Sequence, residues 1–136
     1  MKKILIANRG EIALRIMKTV KRMGISTVAI YSTIDRNAPH VIFADEAILI
    51  GDNPSNKSYL LGDKIIEKAL ELNVDAIHPG YGFLSENELF AKAVEDHDMI
   101  FIGPGHKAIR MMGDKLAAKE AVKRFDIPMV PGIDEA

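Results

Sequence analysis

Short apolar runs alternate along this chain with longer stretches whose apolar residues recur every three or four positions, and that alternation constrains the fold most. Ile4-Leu5-Ile6-Ala7, Thr27-Val28-Ala29-Ile30-Tyr31, Ala47-Ile48-Leu49-Ile50, Val74-Asp75-Ala76-Ile77 and Met99-Ile100-Phe101-Ile102 read as strands. After the first, Ile12, Ala13, Ile16, Met17 and Val20 form one helix face, with Glu11, Arg15, Lys18 and Arg22 opposite and Gly24 as the stop. Leu61, Ile65, Ala69 and Leu72 form a second helix face, and Leu89, Phe90, Ala93 and Val94 a third. Strands alternating with helices imply an α/β domain whose parallel sheet carries helices on both faces. Right-handed crossovers make such a sheet doubly wound and Rossmann-like.

The connections carry finer signals. Asn8 and Glu11 have the spacing of a capping box, which predicts a tight strand-to-helix turn at 8–10. Ser85 and Glu88 have the same spacing, and Leu84 and Leu89 are placed as a hydrophobic staple. Between strand and helix lies His78-Pro79-Gly80-Tyr81-Gly82-Phe83, a loop at the carboxyl end of a strand, where open α/β sheets hold ligands. Its glycines permit close approach to the main chain, Tyr81 offers a flat apolar face with a polar tip, and His78 is placed to orient the loop. The residues alone leave open whether this is a ligand loop or only a change of direction.

Asp35, just past the second strand, stands where a ribose-binding acid would sit in a dinucleotide domain. The first turn argues against that function. It holds one glycine, Gly10, where the fingerprint needs three, and Arg9 and Glu11 place side chains where a pyrophosphate needs bare backbone. Asp35 through Pro39 instead reads as a polar turn. No Walker A sequence is present, and His40, His78, His97 and His106 show no metal-ligand spacing; they read as surface or loop histidines. Ser85 reads as a helix cap rather than a nucleophile.

With 136 residues, 48% of them hydrophobic, the chain can bury one core. Nineteen acids against 18 bases give no reason to expect nucleic acid or an anionic membrane as a partner. No apolar run approaches the ~20 residues of a bilayer span, and the basic start is interrupted too soon to be a signal peptide. Without cysteine there is neither a disulfide framework nor a cysteine-ligated metal, and a cytoplasmic protein is expected. After Gly103-Pro104-Gly105 the pattern turns helical. Ala118, Ala121, Val122 and Phe125 share a face behind Asp114 as N-cap, and the Pro128–Ala136 tail reads as cut short.

His78–Asn87 resembles the signature loop of the biotin carboxylase family. Ile6-Ala7-Asn8-Arg9-Gly10-Glu11-Ile12-Ala13, Phe101-Ile102-Gly103-Pro104 and Met112-Gly113-Asp114-Lys115 resemble three more of its motifs, in the same order. The resemblance implies a pre-ATP-grasp Rossmann-like domain over residues 1–103. Linker helices over 104–136 would lead into a truncated ATP-grasp domain. It implies an enzyme that forms carboxyphosphate from ATP and bicarbonate and carboxylates biotin on a carrier, using Mg²⁺. The carrier protein or domain and a carboxyltransferase are the implied partners, within acetyl-CoA or propionyl-CoA carboxylase, and the full-length form is implied to be a homodimer. Tyr81 would lie against the biotin ring system, with Gly80, Gly82 and Phe83 shaping that wall. Lys115 would contact the nucleotide phosphates, although its position alone favours a solvated lysine. Arg15, Lys18 and Arg22 would lie near the partner subunit, or form a solvated helix face. The lid, the Mg²⁺ carboxylates, the bicarbonate-binding arginines and the base would come after Ala136, so this chain alone is expected to be inactive. Two alternatives stand beside it: the corresponding region of a pyruvate carboxylase, or a non-catalytic Rossmann-like binding or assembly module.

Overall fold

The computed structural model describes residues 1–113 and, beyond them, Ala118, Val122 and Pro128. Five strands, β1 (Lys3–Ile6), β2 (Ser26–Ser32), β3 (Glu46–Gly51), β4 (Ala76–His78) and β5 (Ile100–Phe101), form one sheet in the order β3-β2-β1-β4-β5. Every neighbouring pair is parallel. The helices are α1 (Gly10–Arg22), α2 (Pro39–Phe43), α3 (Gly62–Glu71), α4 (Glu88–Asp96) and α5 (His106–Gly113). This is the doubly wound α/β architecture that the alternation predicts.

Period-two alternation along the strands feeds two cores. Leu5, Val28, Ile30 and Ile77 face one side, where Ile65 and Ala69 of α3 and Phe90 and Val94 of α4 close over them. Ile4, Ile6, Ala29 and Ala76 face the other, under Ala13, Met17 and Val20 of α1. At ~25 cal/mol per Å² of apolar surface, burying both faces of the sheet is the main drive to fold. The second face is less completely covered, and Ile100 at its β5 end is 52% exposed.

Several local expectations shift. Neither predicted capping box forms. Asn8 turns its amide away from the helix it precedes, and Arg9 takes the N-cap of α1 without a side-chain cap. Helix α4 begins two residues later than the Ser85 signal, and Asn87 Oδ1 accepts from the Phe90 N–H at 2.9 Å. Asn caps as well as Ser, so the later site wins. Leu89 is then 74% exposed and staples nothing, while Ala91 takes its place in the buried stripe. The polar turn expected at 35–39 is there, entered from a 3₁₀ turn (Thr33–Asp35) and leading into α2, neither of which the sequence marks. Helix α5 seats on α4, where His106 Nδ1 meets Glu95 Oε2 at 2.6 Å. Of the helix predicted behind Asp114, Ala118 and Val122 are helical and half-buried.

Candidate ligand-binding site at the switch point

The strand order reverses between β1 and β4, so the crevice of this sheet opens at the carboxyl ends of those strands. Two connections meet there, the 8–10 turn after β1 and the loop after β4. The register that pairs Ile6 with His78 brings them side by side.

The loop after β4 is held in an unusual shape. Gly80 (φ +68°), Gly82 (+66°) and Phe83 (+42°) all lie in the left-handed region, which is costly for a side chain such as that of Phe83. Its neighbours fix that conformation. Gly80 N–H donates to His78 Nδ1 at 3.0 Å, as expected of a histidine that orients the loop. Accepting there requires an unprotonated Nδ1, and burial, which pushes the His78 pKa below its ordinary value, favours that form. Ser85 N–H donates to Gly82 O at 2.9 Å. The Phe83 ring stacks on Tyr59 with centroids 5.4 Å apart. Gly80 is required by packing as well as by φ, because a Cβ there would stand 2.6 Å from Asn8 Nδ2. The outcome is a Tyr81 side chain 64% exposed at the mouth of the crevice.

The turn after β1 has the opposite character. Asn8 is 2% exposed and Arg9 reaches over to Asp35 in a bidentate pair, Nε to Oδ2 at 2.8 Å and an Nη to Oδ1 at 2.6 Å. Tyr59 Oη (2.6 Å) and Ser32 Oγ (3.1 Å) donate to the same carboxylate, and the guanidinium lies 5.7 Å from the centre of the Tyr59 ring. Arg9 foremost, helped by the two hydroxyls, holds the Asp35 carboxyl far below the usual carboxylate range. The acid that stands at a ribose-binding position is thus fully engaged inside the protein. A dinucleotide would have to break a charged, hydrogen-bonded cluster to reach it. The sequence marks Asp35 but not its partners, since Tyr59 carries no local signal and meets Asp35 only through the fold. His40, expected at the surface, is completely buried, with Nδ1 accepting from Gly10 N–H at 3.3 Å. Burial lowers its pKa as well.

Of the sequence-predicted residues, Gly80, Tyr81, Gly82 and Phe83 come together as this loop. Arg15, Lys18 and Arg22 lie on the exposed face of α1. Arg15 pairs with Glu11 at 3.2 Å, and Arg22 donates to Thr19 Oγ1 at 3.1 Å. A groove of 720 Å³, lined by Ile16, Val20 and Ile102 among others, connects Tyr81 to Arg15. Lys115 lies outside the described residues. Among the described residues no group of three or more His, Asp or Glu could hold a metal ion, and no helix is long and apolar enough to cross a membrane.

Residues 1–109 match the family model described as biotin carboxylase, N-terminal domain. The chain is 59% identical over 130 residues to the biotin carboxylase of Nostoc sp., covering 96% of this chain and 29% of that protein. To the mitochondrial propionyl-CoA carboxylase alpha chain of Mus musculus it is 53% identical, covering 97% of this chain and 18% of that one. Among solved structures it is similar to the biotin carboxylase domain dimer of Hydrogenobacter thermophilus 2-oxoglutarate carboxylase in complex with MgADP, ADP and bicarbonate. The TM-score there is 0.93 at 53% identity, covering 98% of this chain and 29% of that one. The chain therefore spans less than a third of these relatives. With the doubly wound sheet and the loop at its switch point, these matches make the chain a member of the biotin carboxylase family, corresponding to its N-terminal domain.

Proposed function

We propose that the parent protein carries out ATP- and bicarbonate-dependent carboxylation of biotin borne on a carrier protein or domain. In this reading the present chain supplies the wall against which the biotin ring system rests. The observation that carries it is Tyr81, an exposed ring between two glycines, held at the switch point by a loop in a strained backbone conformation. A ring flanked by glycines gives a planar ligand a flat apolar surface with no neighbouring side chain to obstruct it.

Residues 1–103 would form the Rossmann-like domain, and 104–136 the helices leading toward the nucleotide-binding part. Lys115 would supply a point charge to the nucleotide phosphates. The Mg²⁺ ligands and the base would come from the rest of the parent, so the chain alone would be inactive. MgADP and bicarbonate in the Hydrogenobacter structure support ATP, Mg²⁺ and bicarbonate as what the parent uses. A carboxyltransferase would take the carboxyl group onward. Equal identity, 53%, to a propionyl-CoA carboxylase and a 2-oxoglutarate carboxylase suggests that this region does not choose the acceptor. The parent would thus be a biotin-dependent carboxylase in a cytoplasmic setting, with acetyl-CoA and propionyl-CoA carboxylases among the candidates. The exposed cations Arg15, Lys18 and Arg22 would face a second subunit, a role consistent with the dimer in the Hydrogenobacter structure.

The test follows ADP release by the full-length parent from ATP, Mg²⁺ and bicarbonate, with and without free biotin. Turnover stimulated by biotin, with KM for biotin raised in Tyr81→Ala and turnover sharply lowered in Lys115→Ala, is expected. A folded parent that never responds to biotin would overturn the reading.

A further inference from the structure

Resting on that reading of Tyr81, we infer that Asn8 is the positioning residue for the biotin-side loop. Its carboxamide crosses the switch point and donates both N–H bonds of Nδ2, to Pro79 O at 2.7 Å and to Tyr81 O at 2.9 Å. Its Oδ1 accepts from the Arg9 N–H at 2.9 Å. The amide orientation follows from this arrangement, because the reverse would turn Oδ1 toward two carbonyl oxygens. The acceptors belong to the 79–80 and 81–82 peptides, which bracket the Gly80–Tyr81 peptide, so one side chain holds from both sides the segment that presents Tyr81. The fit is close: with Asn8 Nδ2 where it is, there is no room for a Cβ on residue 80.

The bonding also explains the residue type. A carboxamide of this length offers two donors and one acceptor, whereas a carboxylate of the same shape offers no donor. Asn8 caps no helix and, at 2% exposure, offers a ligand almost no surface of its own. Its contribution is preorganisation. A ring held in its bound orientation loses less freedom when the ligand arrives, and that gain appears in the ligand's KM.

The test uses the full-length parent and separates this role from a general structural one. In Asn8→Ala the KM for biotin is expected to rise about tenfold while the KM for ATP shifts by less than about twofold. Asn8→Asp keeps the size and the acceptor toward Arg9 N–H but loses both donors. It is expected to behave at least as badly, and it carries the test if the alanine variant does not fold. In a Tyr81→Ala background, Asn8→Ala is expected to add less than about twofold, since a residue acting through Tyr81 has nothing left to position. Unchanged biotin KM in both folded Asn8 variants, a parallel rise in both KM values, or full additivity with Tyr81→Ala would each overturn the inference. If Tyr81→Ala raises the biotin KM and the Asn8 variants do not, only the positioning role fails. If Tyr81→Ala itself changes nothing, the biotin-wall reading fails and takes the Asn8 role with it.

Discussion

The two connections at the switch point lie side by side and use their residues in opposite ways. The turn after β1 is polar and engaged internally, with Arg9, Asp35, Tyr59 and Ser32 satisfying one another. The loop after β4 is apolar at its tip, strained in its backbone, and directs Tyr81 outward. In a dinucleotide-binding domain the first turn would be the bare one and would hold the ligand. Here it serves as the clamp, and under the proposed function the ligand surface lies on the second connection instead. The same scaffold therefore supports a different function, because the site rather than the topology decides it.

The strongest way to break the comparison is to remove the clamp's central acceptor. Asp35→Ala would strand the Arg9 guanidinium and two hydroxyls, at a cost of about 3 kcal/mol. For a domain of this size that lowers the melting temperature by about 10 °C. The effect should depend on pH with a definite sign. The Asp35 carboxyl is more acidic folded than unfolded, so its contribution is fully present above the ordinary carboxylate pKa of about 4. It is lost as pH falls below that value. Melting curves of the wild type and Asp35→Ala should differ by a constant amount near neutrality and converge in acid. A gap that persists undiminished well into acid would mean that Asp35 acts through packing rather than through its charge.

The loop's two glycines sharpen the comparison at a smaller scale. Gly80 and Gly82 share the left-handed conformation, but only at Gly80 does a Cβ meet another residue, Asn8. Gly82→Ala should therefore cost about 1 kcal/mol, the conformational part alone. Gly80→Ala should cost about 2 kcal/mol, since Asn8 cannot retreat without releasing the loop. Denaturant midpoints at unchanged slope would measure both. Equal losses would mean that the clamp and the loop are not in contact in solution.

Much of this was legible in the sequence. The order of strands and helices, the parallel sheet and the position of the 78–85 loop follow from period and turn chemistry. Long-range partners were harder to read. Tyr59 and Asp35 are 24 residues apart and meet only because the 3₁₀ turn after β2 and the segment before α3 come together in the fold. Asn8 presents a helix-cap signal that is chemically sound, yet its amide finds better acceptors 71 and 73 residues away. Ser85 misleads for the related reason that Asn87 is an equally good cap two residues on. His40 reads as a surface or loop histidine because nothing local reveals that it will be buried against the start of α1. The misreadings thus concentrate on polar residues, whose bonds can close locally or across the fold, while most of the apolar pattern carried over into the two cores, Leu89 being lost from its stripe when the start of α4 moved.

The smallest effect on stability is expected where the effect on function should be largest. Tyr81 is mostly exposed, so Tyr81→Ala removes little buried area and should change stability by less than about 0.5 kcal/mol. Phe83 shares the loop but stacks on Tyr59, and Phe83→Ala should therefore cost about 1 kcal/mol or more. The two aromatics stand two positions apart, one anchoring the loop and the other presented by it. Melting temperatures of the two variants, set beside the biotin KM of the parent, separate these roles. A Tyr81→Ala variant as unstable as Phe83→Ala would mean that Tyr81 is part of the packing, and the contrast between clamp and presented surface would lose its second half.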